Sequence, residues 1–197
     1  MSTVMSTRSR YGFVAQAFHW STVVLVATAY LVSPGSSEQR VYSLASDLTR
    51  QIHETTGILI FALVLARILW RTIDAAPEAP PMEPWMKYSA KLGHFALYAL
   101  LIALPLTAIV GAWLEGHPFT LLGAGNFGPM LPQAHVVGQA VSYVHTILGS
   151  VIIWGAGLHA VAALFHHFVL RDNVLTAMLP DWRSPAASSD KASREPA

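Results

Sequence analysis

The chain has 197 residues, of which 53% are hydrophobic and only 12% are charged, and its net charge is +1. Soluble domains carry about a quarter charged residues, so this composition excludes an ordinary soluble fold. The chain also contains nine histidines and no cysteine, which excludes disulfides, iron–sulfur clusters, thiolate zinc sites, thiol catalysis and haem attached through a Cys-x-x-Cys-His motif.

Four segments are long and apolar enough to cross about 30 Å of hydrocarbon, which takes roughly 20 residues. They are Gly12 to Val32, Ile52 to Trp70, Leu92 to Leu114 and about Val141 to Leu170. The stretch from Gly116 to Leu170 contains no Asp, Glu, Lys or Arg. Residues 1–182 are therefore predicted to form an all-α, up-and-down four-helix bundle integral to a membrane, with spans 12–32, 52–70, 92–114 and 141–170.

The connections between the spans carry helix-breaking residues. The first, Ser33 to Gln51, opens with Ser33-Pro34-Gly35-Ser36-Ser37, and four prolines interrupt the second, from Arg71 to Lys91. The third connection, Glu115 to Ala140, contains many glycines and prolines, and it is predicted to be an irregular loop folded on the membrane surface. The tail, residues 183–197, is rich in Ser, Ala, Pro and charge, and is predicted to be disordered and cytoplasmic.

The orientation of the bundle follows from its positive charges, because loops rich in Lys and Arg stay in the cytoplasm. Only Arg40 and Arg50 fall on one side of the predicted membrane. The other side carries Arg8, Arg10, Arg67, Arg71, Lys87, Lys91, Arg171, Arg183, Lys191 and Arg194. This asymmetry predicts that both termini are cytoplasmic.

A cleaved signal peptide is an alternative interpretation of the first segment. Arg8 and Arg10 precede an apolar run that contains the small-residue triplet Ala27-Thr28-Ala29. The run is long and holds Gln16 and His19, which favours a retained membrane helix.

Four of the histidines within the spans form two matched pairs. His145 and His159 are fourteen residues apart on the fourth span, about 21 Å along the axis and within about 40° of the same face. His19 lies near the inner surface, as His159 does, and His53 lies near the outer surface, as His145 does. Pairs of imidazoles at two depths predict two haem irons, an inner one between His19 and His159 and an outer one between His53 and His145.

Small residues near these histidines support this interpretation, because a haem ring needs clearance on the helix that bears its ligand. Gly57 and Gly149 lie four residues after His53 and His145, Gly155 lies four before His159, and Ala15 lies four before His19. For a single membrane histidine, an interhelical hydrogen bond would be the simpler explanation. Other metal centres fit less well, since no Glu has a His three residues later and zinc or copper ligands would cluster at one depth.

Further polar residues are candidates for contact with haem propionates or a quinone. Arg67 lies fourteen residues after His53, on the same face at the inner depth, although it could instead snorkel to the interface. His94, one helical turn after Lys91, has the same two interpretations. His166 and His167 lie at the inner end of the fourth span, where they could contact a quinone, donate protons or merely lie at the interface. His117 and His135 fall in the outer loop and are expected to be merely solvated.

Several of these runs resemble the bacterial cytochrome b-561 family of di-haem, quinone-linked cytochromes, over roughly Arg10 to Trp182. The matching runs are Ala17-Phe18-His19-Trp20, Gln51-Ile52-His53-Glu54 to Gly57, Lys91-Leu92-Gly93-His94, Val144-His145-Thr146, Gly157 to His167, and Arg171-Asp172-Asn173 to Met178-Leu179-Pro180.

The resemblance implies two b haems held by the same histidine pairs in a multi-pass protein of the bacterial inner membrane, with no catalytic side chain beyond the haems. Some members are implied to oxidise superoxide outside and to reduce ubiquinone. Others look like cytochrome b subunits that pass electrons between a partner hydrogenase or dehydrogenase and the quinone pool. A haem-free membrane protein is a third alternative, and no nucleic acid partner is expected.

An anionic donor such as superoxide would be attracted by positive charge on the outer side. Arg40 and Arg50 are the only outer cations, so we expect them to guide superoxide towards the outer haem. The alternative is that they merely flank the second helix.

Overall fold

The structure is a computed structural model that describes residues 4–35 and 37–180. Its helices are α1 (Phe13–Leu31), α2 (Glu38–Val41), α3 (Asp47–Ile73), α4 (Pro84–Glu115), α5 (His135–Phe165) and α6 (Val174–Met178), and its strands are β1 (Phe119–Leu121) and β2 (Gly125–Phe127). A 3₁₀ turn, Leu44–Ser46, precedes α3, and a π-helical segment, His166–Leu170, follows α5. The tail predicted to be disordered, residues 183–197, lies outside the described residues.

The helices α1, α3, α4 and α5 are each long and apolar enough to cross a membrane. Helix α1 packs against α3, α4 packs against α5, and contacts between α3 and α4 join the two pairs. Large apolar side chains such as Val24, Trp154 and Leu158 are exposed on the outside of the bundle. A helix that is apolar on its outer surface suits lipid rather than water, which confirms the predicted all-α, four-helix membrane bundle.

Helices α3, α4 and α5 begin before the apolar segments that the sequence marks, whereas α1 lies within its predicted span. Helix α4 begins at Pro84, although Pro84 was expected to interrupt helix. Proline is well tolerated in the first helical turn, since the N–H that it lacks has no partner there. Helix α3 begins at Asp47 rather than near residue 52, because charged side chains in its first turns bind one another.

The third connection differs most from the prediction of an irregular loop through Ala140. Strands β1 and β2 form an antiparallel hairpin, and α5 already begins at His135. The hairpin is attached to α3, because Glu54 Oε2 accepts a hydrogen bond from Thr120 N at 2.6 Å and Thr55 Oγ1 accepts one from Leu122 N at 2.8 Å. Three-residue strands are too short to be seen in the sequence, and contacts with α3 hold them in place.

Both described chain ends meet at one end of the bundle, which we call the termini end. Tyr11 N donates to Ala177 O at 3.0 Å, and Arg10 Nη2 donates to Leu179 O at 2.8 Å. The opposite end carries α2 and the hairpin, and we call it the hairpin end. The orientation of these ends relative to the cytoplasm remains a prediction from the positive charges.

Asp74 anchors the segment before α1 at the termini end and is 1% exposed. Its carboxylate accepts hydrogen bonds from Ser6 N at 2.8 Å, Ser6 Oγ at 2.7 Å and Trp70 Nε1 at 3.0 Å. Although burial by itself raises the pKa of Asp74, the hydrogen bonds from Ser6 and Trp70 outweigh it and hold this pKa below its usual value.

We therefore expect Asp74→Ala to lower the free energy of unfolding by about 2–3 kcal/mol, because charge-assisted hydrogen bonds are lost and their donors stay partly buried. Thermal unfolding in detergent measures this loss, and Asp74→Asn, which keeps the shape, should lose less. The contribution is present above the unfolded pKa of about 3.9 and is lost as the pH falls through the lower folded pKa. An Asp74→Ala protein that unfolds at the same temperature as the parent would contradict this role.

Candidate functional site

His53 on α3 and His145 on α5 face each other towards the hairpin end, with ring centroids 6.2 Å apart and ring planes at 86°. His53 Nδ1–H donates to Ala29 O at 2.8 Å, and His145 Nδ1–H donates to Leu104 O at 2.9 Å. Because a carbonyl can only accept, both rings carry their proton on Nδ1 and keep the Nε2 lone pair. This arrangement is typical of imidazoles that ligate a metal through Nε2.

A cavity of about 780 Å³ lies between α1, α3, α4 and α5, and both histidines line it. Its volume falls within the range of about 300–1,000 Å³ that cofactor sites occupy. Gly57 and Gly149 also line this cavity, and a Cβ atom at either position would meet no atom within 4 Å. The residues of this pair therefore fit a flat group held between two imidazoles.

If this pair holds one of the two haems that the sequence predicts, Gly149→Leu should remove it and leave about one haem per chain, because the new side chain fills the space beside His145. Visible absorption and haem extraction measure the loss. Gly157→Leu is the matched control, since Gly157 lies exposed on the same helix and its Cβ would also meet no atom within 4 Å. Leucine favours helix over glycine at both positions, so equal haem content in the two variants would refute the assignment.

His19 and His159 form the second pair, with ring centroids 6.4 Å apart and ring planes at 62°. His94 joins them, since its ring centroid lies 5.3 Å from that of His159. Arg67 Nη1 donates to His19 Nδ1 at 3.3 Å, and the Arg67 guanidinium lies 5.7 Å from the ring centroid of Tyr98. The structure thus brings together three histidines and an arginine that the sequence placed at one depth.

This second pair differs from the first in two respects. Since Arg67 can only donate, Nδ1 of His19 accepts and its proton lies on Nε2, so binding a metal through Nε2 requires Arg67 to release Nδ1. The predicted clearance is also less open here, because a Cβ at Gly155 would lie 3.5 Å from Leu97 Cδ2 and Ala15 is buried.

His166 and His167 lie in the π-helical segment after α5. His166 Nδ1 donates to Asp172 Oδ2 at 2.5 Å, while Asp172 Oδ1 accepts from Val174 N at 3.0 Å. The His167 ring contacts Phe168, with centroids 4.8 Å apart. Both histidines belong to the termini end, as the sequence indicated, and Asp172 fixes the orientation of His166. π-Helical turns occur frequently at functional sites.

Arg40 and Arg50, which the sequence paired as outer cations, have different surroundings. Arg40 is exposed on α2. Arg50 is buried, and its Nη atoms bind Asp47 Oδ1 at 2.6 Å and Glu54 Oε1 at 3.0 Å. Arg50 Nε is buried without a hydrogen-bond partner in the described part of the chain, and Arg50 lines the cavity. Nearby carboxylates therefore compensate the charge of Arg50, whereas Arg40 remains open to solvent.

Four side chains at the hairpin end form a group that the sequence analysis missed, which we call the Glu38 cluster: Glu38, Glu115, His117 and His135. His117 Nε2 donates to Glu38 Oε1 at 2.9 Å, and His135 Nε2 lies 3.5 Å from Glu38 Oε2. The hydrogen bond from His117 lowers the pKa of Glu38 below its usual value. His117, which was expected to be merely solvated, thus binds a carboxylate, and the more exposed His135 lies near the same carboxylate. The sequence signal for this group is the run Glu115-Gly116-His117, in which a glycine of the kind that ends helices separates two side chains able to bind an ion.

The sequence is similar to those of several known proteins. The sequence profile described as prokaryotic cytochrome b561 matches residues 10–181. The protein named probable superoxide oxidase CybB from Yersinia pestis is 32% identical over 178 residues, which cover 88% of this chain and 98% of that protein. Cytochrome b561 homolog 2 from Escherichia coli K12 is 27% identical over 175 residues, covering 88% and 93%. Cytochrome b562 from Cereibacter sphaeroides is 27% identical over 181 residues, covering 89% and 98%.

Proposed function

Because this chain belongs to the prokaryotic cytochrome b561 family of membrane electron-transfer proteins, we propose that it holds two b haems and that it oxidises superoxide and reduces ubiquinone. The observation that carries the proposal is the presence of two facing histidine pairs at two levels of one bundle, His53 with His145 and His19 with His159. When bound, such haems supply one-electron transfer between a donor on one side and an acceptor on the other.

The chain's own residues prepare the pair nearer the hairpin end. The carbonyl groups of Ala29 and Leu104 hold the imidazoles of His53 and His145 by Nδ1 and make each Nε2 a better ligand. We assign the buried, unused Nε–H of Arg50 to a haem propionate, because Arg50 lines the same cavity. His53 and His145 would together hold the haem iron, so that the haem would supply electron transfer without direct binding of the donor to the metal, and the donor would need no side chain as acid or base.

At the termini end, we assign Arg67 to a haem propionate or a quinone carbonyl, since it already donates a hydrogen bond at this level. His94 lies against His159, and we assign it to the same contacts. Reducing a quinone to a quinol requires two protons. His166, held by Asp172, and the neighbouring His167 are our candidates to bind the quinone or to supply those protons.

The orientation of the bundle follows from the positive-inside rule. We place the termini end in the cytoplasm and the hairpin end outside, in a bacterial inner membrane. Superoxide then meets the His53–His145 pair, and ubiquinone meets the His19–His159 pair. The name of the relative from Yersinia pestis includes superoxide oxidase, which supports superoxide as the donor.

Stopped-flow visible spectroscopy of the purified protein tests donor, acceptor and cofactor together. We expect b-type absorption bands, rapid reduction by superoxide and reoxidation by a ubiquinone analogue. Slow reduction by superoxide, together with fast reduction by a partner hydrogenase or dehydrogenase, would assign the alternative function of a cytochrome b subunit. A protein without b-type bands would overturn both functions.

Arg40→Gln is expected to slow the reduction of the protein by superoxide about two- to tenfold at low ionic strength and less at high ionic strength, because an exposed cation attracts an anionic donor. Arg50→Gln is a poorer test, since it breaks a buried network. Arg8→Gln is the matched control, because Arg8 is an exposed arginine at the termini end. If both variants react at the parent rate at all salt concentrations, Arg40 does not guide the donor.

A further inference from the structure

The Glu38 cluster combines two carboxylates and two imidazoles at the rim of the cavity. None of its members belongs to the facing histidine pairs, and Glu38 and Glu115 also line the cavity. We propose that the Glu38 cluster binds one Zn²⁺ ion. The proposal does not depend on which donor or acceptor the protein uses.

The spacing of the donor atoms suits a tetrahedral ion. One ligand atom each from Glu38, Glu115 and His117 lies within 4.8 Å of the others. Tetrahedral bonds of about 2.0–2.1 Å place neighbouring ligand atoms about 3.3 Å apart. The observed 2.9 Å from Glu38 Oε1 to His117 Nε2 and 3.5 Å from Glu38 Oε2 to His135 Nε2 lie on either side of that value. Zinc held by Glu38, Glu115 and His117 requires the loss of the Nε2 proton of His117. His135 must approach the other three side chains to become the fourth ligand.

Local backbone structure directs the ligands to one point. Gly116 ends α4 with a φ of +87°, between Glu115 and His117, and a Cβ there would lie 2.2 Å from Gln133 Nε2. The left-handed φ favours glycine at this position, whereas the flexible Gln133 side chain can move away from a Cβ. The close approach of α5 completes the arrangement, because a Cβ at Gly138 would lie 2.8 Å from the backbone N of Glu115.

Surrounding side chains orient the ligands in the way that is usual around protein metal sites. Ser142 Oγ donates to Glu115 Oε1 at 2.5 Å, and Gln139 Nε2 donates to Glu38 Oε2 at 3.4 Å. The Tyr42 ring stacks on His117 with centroids 3.5 Å apart and planes at 19°. His135, Gln139 and Ser142 follow one another at helical spacing on α5 and thus share one face.

The donor set favours zinc over hard cations. Mg²⁺ and Ca²⁺ take oxygen ligands, whereas mixed imidazole and carboxylate donors suit Zn²⁺. Two carboxylates with neutral imidazoles carry a charge of −2, which one divalent ion neutralises. Access is open as well, because the side chains of Glu38 and His117 are each 29% exposed and that of His135 is 54% exposed.

Zinc binding to the full-length, haem-loaded protein in detergent tests the proposal, with an affinity tag that contains no histidine. Equilibrium dialysis with metal analysis should give about one Zn²⁺ per chain, unaffected by excess Mg²⁺. We expect Gln139→Ala to weaken zinc binding about 10–100-fold, as the loss of an orienting residue does, and His117→Ala and Glu38→Gln to weaken it further. His167→Ala, at the other end of the bundle, is the control that should bind zinc like the parent.

X-ray absorption at the zinc edge gives a second readout, with imidazole scattering in the parent that decreases in His117→Ala. An unchanged haem spectrum shows that each variant is folded, and Glu38→Gln keeps nearly the parent shape if His117→Ala does not fold. Absence of stoichiometric zinc at micromolar concentrations would overturn the proposal. Parent-like binding in folded Glu38→Gln and His117→Ala would overturn it equally.

Discussion

Replacing His53 by alanine is expected to leave about one haem per chain instead of about two, because a bis-imidazole site that loses one ligand loses its hold on the metal. The same result is expected for His145→Ala, since the two rings face each other across 6.2 Å. The remaining haem should keep its b-type spectrum. Pyridine haemochrome analysis and redox titration measure the number of haems and show which of two potentials disappears.

The other pair should behave in the same way but independently. His19→Ala and His159→Ala are each expected to lose the other haem, so that a variant combining one change from each pair contains none. His117→Ala and His135→Ala are the controls, because the Glu38 cluster is separate from both pairs, and they should retain about two haems. Loss of both haems from folded single variants, or of none, would refute the pairing.

Replacing Glu54 by alanine is expected to destabilise the hairpin end strongly. Glu54 accepts from Arg50 Nη1 at 3.0 Å and from Thr120 N at 2.6 Å, and its side chain is 13% exposed. Its removal leaves a buried guanidinium and a backbone N–H short of an acceptor, which costs about 3–5 kcal/mol. For a chain of this length, that corresponds to a melting temperature lower by about 6–20 °C.

Two comparisons show whether this loss arises from the unpaired Arg50. Asp47→Ala removes the other carboxylate, which is 48% exposed, and should cost clearly less because water replaces an exposed partner. Arg50→Met combined with Glu54→Ala should recover part of the lost stability, since no charge is then left buried. A double variant that melts below Glu54→Ala alone would show that Arg50 is not the origin of the effect.

The sequence alone predicts those elements that depend only on residues close together in the chain. Apolar length identifies the four long helices, and a spacing of fourteen residues places His145 and His159 on one face of α5. Arg67 was placed at the level of His19 by the same arithmetic on α3, and the structure brings their side chains together at 3.3 Å. Helical periodicity and hydropathy are properties of one segment, and they can be read without knowing which other segments pack against it.

Features that depend on distant contacts could not be predicted in this way. The hairpin exists because Thr120 and Leu122 bind side chains of α3, and three-residue strands leave no pattern of their own. The Glu38 cluster draws ligands from three separate segments, so only the folded chain shows it. Arg50 looked like a free outer cation, and its burial between Asp47 and Glu54 reverses that interpretation.

The connection of the first and last parts of the chain at the termini end has a consequence for biosynthesis. Tyr11 and Arg10 bind the carbonyl groups of Ala177 and Leu179, and each histidine pair has one member on α5. A nascent chain that has not yet produced α5 therefore carries only one histidine of each pair. If these pairs hold the haems as proposed, haem loading follows the synthesis and insertion of the last long helix, and chains truncated before it should remain in the membrane without haem.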